Sequence, residues 1–397
     1  MTVVLVFHRL GPYHVARLRA LSARVSDVTA VEISGVDNVY QWDAVGGSAG
    51  FGRVTVAPDH DADALPLASY ARRLHALLDE VGPEVVAIAG WSAPWALSTL
   101  DWCRKNKVPS VLMSDSTVDD APRTAFKEYV KRRLVKLYDA ALVAGTPHRE
   151  YVCRLGMAPE RVFEGYDVVD NEHFSAGAAA ARSSGDELRR KLGLPSRYFL
   201  ASARFVEKKN LFNLIKGYAE YRQATGPKGW GLVLLGDGPL RNELVAEVSR
   251  LNLESDVLFS GFRQYDELPA YYGLASTFVH SSTVEQWGLV VNEAMASGLP
   301  VLVSKRCGCA LDLVADGVNG YVFDPFDVSE LAAKMMRLSS GGADTVALAR
   351  SSAEAIGRWT PDVFADQLLK ACAVAQESGP GPRGIAERFL LWGVARR

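Results

Sequence analysis

The chain lacks any uninterrupted apolar run approaching the roughly 18 residues that announce a membrane span. It also lacks charge of one dominant sign: 44 Lys and Arg face 46 Asp and Glu, a formal net charge of −2. That leaves out the basic excess on which nucleic-acid binding draws. Cysteine is scarce, with five residues scattered at 103, 153, 307, 309 and 372. An odd, dispersed set argues against a disulfide framework and for a reducing compartment. Cys307-Gly308-Cys309 has no further ligands at zinc-like spacing, so no metal site is expected there. The apolar opening at residues 3–7 is too short for a signal-peptide core and no basic segment precedes it. It reads as a first strand, and the expected location is cytoplasmic, at most peripheral on the inner membrane face. What is present, 48% hydrophobic and 23% charged residues over 397 positions, is the composition of a globular protein with room for two domains.

Short apolar runs alternate with amphipathic stretches. Strands are expected near 3–7, 28–33, 53–57, 84–89, 110–113 and 141–144, then near 198–203, 231–235, 257–260, 277–280, 300–303 and 321–323. Helical stretches fall near 12–23, 66–81, 94–105 and 124–138. Strand–helix alternation of this kind implies parallel sheets covered by helices on both faces. Residues 175–185 are rich in Ala, Ser and Gly, the composition of a linker. The expected domains are 1–175, a linker at 176–190, then 191–357, with C-terminal helices at 358–397 crossing back to the first domain.

The most informative stretch is 281–303, SSTVEQWGLVVNEAMASGLPVLV. Glu285 and Glu293 stand eight positions apart. Trp287-Gly288-Leu289 opens an apolar helix, Gly298 suits its C-terminal cap, and Pro300 forbids its continuation. Amides of Gly288, Leu289 and Val290 at the helix start attract an anion. A phosphate-linked sugar nucleotide fits this pattern, with carboxylates for sugar and ribose hydroxyls. The plain alternative is one solvated glutamate and one favoured by the helix dipole.

The whole string resembles the retaining glycosyltransferases of family four, which have the GT-B fold of two doubly wound Rossmann-like domains facing across a cleft. Glu285, the aromatic-Gly-Leu, Glu293, Ala294-Met295-Ala296, Gly298 and Pro300-Val301 match that family's hallmark in order. The resemblance implies that Glu285 addresses the donor sugar and Glu293 the ribose. It assigns Arg204 and Lys209, in ARFVEKKN after the first strand of the second domain, to the donor diphosphate, with Lys208 solvated. By the same resemblance, Gly236 and Gly238 of LGDGP are expected in the loop beside the nucleotide. The resemblance also implies that the backbone near Phe262-Arg263 recognises the base edge. Front-face transfer needs no covalent protein nucleophile, because the leaving phosphate takes the acceptor proton.

The first domain is expected to hold the acceptor. Its first loop carries His8, Gly11 and His14; Gly11 suits close backbone approach to phosphate or sugar, and the histidines are acceptor-binding candidates. Trp91 either stacks on a sugar or packs. The family's usual histidine after the strand at 110–113 is missing: the chain reads Met113-Ser114-Asp115-Ser116, so Ser114 or Asp115 is the candidate to orient the acceptor. The segment 168–174 resembles the family's domain-joining stretch without its Pro and Gly. Asp59-His60-Asp61-Ala62-Asp63 is expected to be a solvated loop rather than a metal site. The basic helix at 127–136 and the apolar C-terminal stretch 385–394 are the candidates for peripheral membrane contact.

The expectation is therefore a metal-independent hexosyl transferase. It would move a sugar from a nucleoside-diphosphate donor (UDP favoured, GDP the alternative) to an acceptor hydroxyl, with no cofactor and no nucleic acid. The rivals are a silent GT-B nucleotide-binding partner, and a pseudo-glycosyltransferase or phosphorylase on the same fold.

Overall fold

A computed structural model describes residues 1–36, 50–379, 391 and 393. Most of the apolar C-terminal stretch 385–394 therefore lies outside the described residues. The chain forms two compact units: Met1–Val168 together with Pro361–Arg397, and Val169–Thr360.

The first unit runs β1 (Thr2–Phe7), α1 (Pro12–Ser22), β2 (Asp27–Ser34), β3 (Gly52–Ala57), α2 (Leu67–Val81), β4 (Val85–Ala89), α3 (Pro94–Asn106), β5 (Ser110–Ser114), α4 (Ala125–Val135), β6 (Ala140–Val143), α5 (Thr146–Arg154) and β7 (Val162–Glu164). Among the described residues its sheet is parallel and ordered β3-β2-β1-β4-β5-β6-β7. Residues 3–7 are buried throughout, as a strand covered on both faces requires. Helix α2 shows the complementary pattern: Tyr70, Leu74 and Leu78 bury one stripe, and Gly82 ends the helix at φ 59°.

The second unit runs α6 (Asn171–Ser183), α7 (Gly185–Leu192), β8 (Tyr198–Ser202), α8 (Leu211–Thr225), β9 (Gly231–Leu235), α9 (Arg241–Arg250), β10 (Val257–Gly261), α10 (Leu268–Leu274), β11 (Thr277–His280), α11 (Leu289–Ala296), β12 (Val301–Ser304), α12 (Ala310–Leu313), β13 (Gly320–Phe323), α13 (Val328–Ser339) and α14 (Thr345–Ile356). Its sheet is parallel and ordered β10-β9-β8-β11-β12-β13. The last helix, α15 (Pro361–Ser378), belongs to the first unit. It buries Phe364, Leu368, Ala371, Cys372 and Ala375 along one stripe, and Arg24 at the end of α1 pairs with its Asp362 at 2.8 Å and Asp366 at 2.6 Å.

The stretch expected as a linker at 176–190 is helical instead. Its alanines are the strongest helix formers, and Asp170 caps α6 by accepting the His173 amide at 3.0 Å. Phe174, Ala178 and Ala181 bury the i, i+4, i+7 face. A Cβ on Gly177 would lie 2.5 Å from Pro269 Cβ, and one on Gly273 would lie 2.7 Å from Ala178 Cα. The small residues read as linker composition are thus what lets α6 and α10 approach closely.

Candidate functional site

In an open parallel sheet, ligands bind outside the carboxyl ends of the strands where the order reverses. In the second unit that place lies between β8 and β11. The loops leaving these strands are 203–210 and 281–288, and they are tied together. The Thr283 amide donates to the Lys208 carbonyl at 2.8 Å, the Ser281 hydroxyl to the Lys209 carbonyl at 2.9 Å, and the Asn210 side-chain Nδ2 to the Ser281 carbonyl at 3.2 Å. The two lysines consequently diverge. Lys208 is exposed, whereas Lys209 turns inward and donates to Glu285 Oε2.

Three donors converge on that oxygen. Besides the Lys209 ammonium, His280 Nε2 lies 2.9 Å away and the Ser282 hydroxyl 3.0 Å. Oε1 of Glu285 has no protein partner among the described residues. Burial opposes ionisation of Glu285, but the His280 hydrogen bond and the nearby Lys209 charge outweigh it and hold the carboxyl well below the usual range. Burial lowers the His280 pKa against the pull of Glu285, and because an ionised carboxylate only accepts, Nε2 is the ring nitrogen that donates to it. Sequence reasoning passed over His280. It ends a buried strand five positions before the glutamate, and only the loop's fold-back makes them neighbours.

Gly288 starts α11 at φ 107°, where a side chain would be strained; a Cβ would also lie 3.4 Å from Glu285 Cγ. The amides of Gly288, Leu289 and Val290 have no preceding helical carbonyl, which makes this end a favourable place for an anion. Gly298, at φ 73°, follows the helix as its left-handed stop. Glu293, in the second turn of α11, is fully buried and accepts the Tyr272 hydroxyl at 2.6 Å. Trp287 is a packing residue, its indole donating to Asn292 at 2.9 Å and its ring 4.9 Å from that of Trp359. The Cys307-Gly308-Cys309 segment supports the same loop. The Gly308 amide donates to the Glu285 carbonyl at 3.0 Å and the Cys309 amide to that of Trp287 at 3.1 Å. Both thiols are buried, which pushes their pKa values well up.

The remaining donor-side candidates surround this centre unevenly. Arg204 is exposed on the loop after β8. Cβ atoms on Gly236 and Gly238 would lie 1.9 Å from the Ala203 carbonyl oxygen and 2.7 Å from the Phe205 nitrogen. These glycines are required where the β9 loop crosses the β8 loop, before any ligand is considered. Phe262 is exposed after β10, while the Arg263 side chain is engaged locally, 3.3 Å from Glu267 and over the Tyr271 ring at 5.4 Å.

In the first unit the sheet reverses between β1 and β4. His8 follows β1, with Nε2 3.6 Å from Asp61. The aspartate loop is therefore not uniformly solvated as expected: Asp59 and His60 are exposed, but Asp61 is turned to His8. Among the described residues no group of three or more His, Cys, Asp or Glu is arranged to hold a metal ion. Gly11 and His14 cap α1: the Gly11 amide donates to His14 Nδ1 at 3.0 Å, and burial lowers the His14 pKa to about 3. Buried Glu32 accepts the Leu10 amide at 2.9 Å and fixes the same loop. Trp91 is buried with its ring 6.0 Å from Tyr151; of its two readings, packing is the one realised. The buried Ser114 hydroxyl accepts the Ser116 amide at 3.2 Å and shapes the turn after β5. Asp115 lies half-buried in that turn. Burial first, then the charges of Asp167 and Asp120, push its carboxyl up to about 7 against the pull of Arg17. Arg17 itself is buried, 3.3 Å from Asp167 and donating to the Val168 carbonyl at 2.9 Å.

Residues 185–354 match the family model described as glycosyl transferases group 1. The chain is 31% identical over 179 residues to mannosylfructose-phosphate synthase of Agrobacterium fabrum, 44% of this chain and 38% of that protein. It therefore spans well under two thirds of that relative's length. It is 27% identical over 270 residues to the alpha-D-kanosaminyltransferase of Streptomyces kanamyceticus, 65% of this chain and 68% of that one. Among solved structures, Anabaena HepE in complex with UDP-glucose superposes with a TM-score of 0.72 at 18% identity, covering 94% of this chain and 99% of that one. Two parallel-sheet α/β units of this topology are the GT-B fold, and residues 185–354 are the part of the chain that is similar to the group 1 glycosyl transferases.

Proposed function

We propose that this chain, through its group 1 glycosyl transferase domain, moves a sugar from a nucleoside-diphosphate donor to an acceptor hydroxyl with retention of anomeric configuration and without a metal ion. The observation that carries the reading is the meeting of Lys209 and Glu285 at the strand-order reversal, beside the free amides of α11. Glu285 is held through Oε2, which leaves Oε1 for hydroxyls of the donor sugar. The amides of Gly288–Val290 receive the diphosphate, with Arg204 and Lys209 neutralising the charge that develops as it leaves. Glu293 offers its carboxylate to the ribose, and the backbone at Phe262-Arg263 meets the base. Asp115, its carboxyl raised to about 7 by burial and Asp167, orients the acceptor in place of the family's histidine. UDP is favoured because HepE, alike in fold, was solved with UDP and UDP-glucose.

A panel of UDP- and GDP-sugars incubated with excess chelator, with nucleoside diphosphate release as readout, tests the proposal. Release from one donor, and a product whose anomeric configuration by NMR equals the donor's, is the expected result. No release from any donor, with or without a range of acceptors, favours the silent nucleotide-binding partner. Inverted product removes the retaining assignment while leaving the donor site.

A further inference from the structure

Helix α1 carries a buried cation, Arg17, whose side chain is 2% exposed and faces Asp167 at 8%. The guanidinium is held in one place. Nε and Nη2 donate to the Val168 carbonyl at 3.1 and 2.9 Å, and Nη2 also reaches Asp167 Oδ1 at 3.3 Å. The group lies 5.0 Å from the ring centre of Tyr166 and 5.8 Å from that of Phe364. A planar fork that bonds two acceptors and packs on aromatic faces is what arginine offers and lysine does not. A buried cation is costly unless carboxylates balance it, and two carboxyl groups stand on this one. Asp115 and Asp167 leave the first sheet on either side of the end of β6. The Ala144 amide donates to the Ser114 carbonyl at 3.2 Å, and the Tyr166 amide to the Val143 carbonyl at 3.0 Å. Each aspartate is therefore the next residue past a backbone bond to the carboxyl end of β6.

The neighbouring titratable groups do not change this balance. Asp120 is paired with Arg123. His14, one turn before Arg17, is neutral, because burial and then the Arg17 charge lower its pKa to about 3. Burial pushes the Tyr166 hydroxyl well up, so it too is neutral. One cation thus stands against Asp115 and Asp167. Burial and Asp167, with a smaller push from Asp120, raise the Asp115 carboxyl to about 7, and Arg17 pulls against them. The protonation of Asp115 matters to an acceptor hydroxyl. An ionised carboxylate only accepts, so it takes the acceptor's O–H and leaves the oxygen lone pairs to the anomeric carbon. A protonated carboxyl donates to those same lone pairs and turns them away.

We propose that Arg17 is a positioning residue for the acceptor: fixed on Asp167 and the Val168 carbonyl, it sets the pH above which Asp115 accepts from the acceptor hydroxyl. This role rests on the reading that Asp115 orients the acceptor. Two substitutions in the full chain test it with opposite signs. Arg17→Gln withdraws the charge that favours ionised Asp115, and Asp167→Asn withdraws the charge that opposes it. The acid limb of kcat/KM for the acceptor, at saturating donor, is expected to move up by about one pH unit in Arg17→Gln and down by about one in Asp167→Asn. Near about pH 6 the first variant is then about tenfold slower than the parent and the second about fivefold faster, and the three converge near about pH 9. Arg17→Lys keeps the charge without the fork and is expected to keep the parent's acid limb. Asp167→Asn preserves the shape of the contact, so the test survives an Arg17→Gln chain that does not fold. The titration of Asp115 is followed without turnover, from the melting difference between each chain and its Asp115→Asn counterpart across pH. A titration unmoved in both variants overturns the role of Arg17 and leaves the acceptor reading of Asp115 standing. A titration that moves while the acid limb stays fixed overturns that reading, and the role of Arg17 with it. Activity lost equally at every pH in both variants makes Arg17 structural only and overturns the proposal.

Discussion

The Lys209 ammonium and the Glu285 carboxylate, 76 residues apart in sequence, are joined at the strand-order reversal of the second unit. Neither loop could hold its residue there alone. The Lys209 carbonyl is bound by Ser281, and Glu285 shares its Oε2 with His280 and Ser282. A lysine so placed has its charge pre-oriented, and no reorganisation is needed when a leaving phosphate acquires charge. Lys209→Ala is expected to lower kcat by about 10²–10³. Lys208→Ala, which removes an exposed side chain, should change kcat by less than about twofold, as surface changes do. Steady-state kinetics of both variants decide the register: a larger loss at Lys208 sinks the assignment.

The two glutamates should separate in their effects. Glu285→Gln keeps the shape but withdraws the charge that three donors organise around, and its expected signature is reduced kcat with nucleoside diphosphate affinity preserved. Glu293 is fully buried and bonded to Tyr272. Glu293→Ala should weaken nucleotide binding and also destabilise the unit by about 1–3 kcal/mol, because the Tyr272 hydroxyl is left unsatisfied. Calorimetric titration with nucleoside diphosphate, paired with thermal melts, reads both quantities. Wild-type affinity in Glu293→Ala would remove Glu293 from the nucleotide site.

The motif at 285–300 was legible because its parts are contiguous in the chain and its glycines and proline punctuate a helix. Tertiary neighbours were not. His280 looked like the end of a strand, and only parallel pairing of β11 with β8 brings the loop after it beside Lys209. Trp91 and His14 were read as candidates because aromatics and imidazoles suit sugars, but burial against Tyr151 and capping of α1 give them structural work. The segment at 176–190 was misread for a compositional reason: alanine and glycine signal flexibility only when no partner helix is present, and α10 is the partner. Strand β7 was missed because three residues are too few to show a period.

His280 should act through Glu285. Its Nε2 donates a hydrogen bond to Oε2 at 2.9 Å. His280→Asn keeps a donor on a shorter side chain and should retain more activity than His280→Phe, which removes the bond at similar ring shape. The kcat loss should exceed any change in KM, since the group it orients matters most as the sugar departs. Equal kcat for the Asn and Phe variants would reduce His280 to packing.

Asp115 supplies a pH test with a definite sign. Its carboxyl, ordinarily titrating near 3.8, is pushed up to about 7 in the folded chain, chiefly by burial and by Asp167. The folded state therefore binds more protons than the unfolded chain between those values, and the residue costs stability increasingly as pH rises from about 4 to about 7, then no further. Asp115→Asn removes that cost. The variant's melting temperature should match the parent's near pH 4 and exceed it at pH 8. Parallel melting curves across that range would show that the carboxyl is not held protonated.

Metal dependence is the sharpest test of the mechanism. Neutralisation of the diphosphate by Arg204, Lys209 and the α11 amides predicts that activity survives excess chelator. A metal-assisted reaction would instead need carboxylates converging on a divalent ion. The nearest sequence suggestion is the aspartate loop, where Asp61 faces His8 at 3.6 Å. That contact makes Asp61→Asn informative in two ways. A modest rise in acceptor KM, with kcat unchanged and no response to added Mg²⁺ or Mn²⁺, is expected from losing the partner of His8. Activity abolished by chelation, restored by either cation, and lost in Asp61→Asn would move the chemistry to the first unit and overturn the proposal.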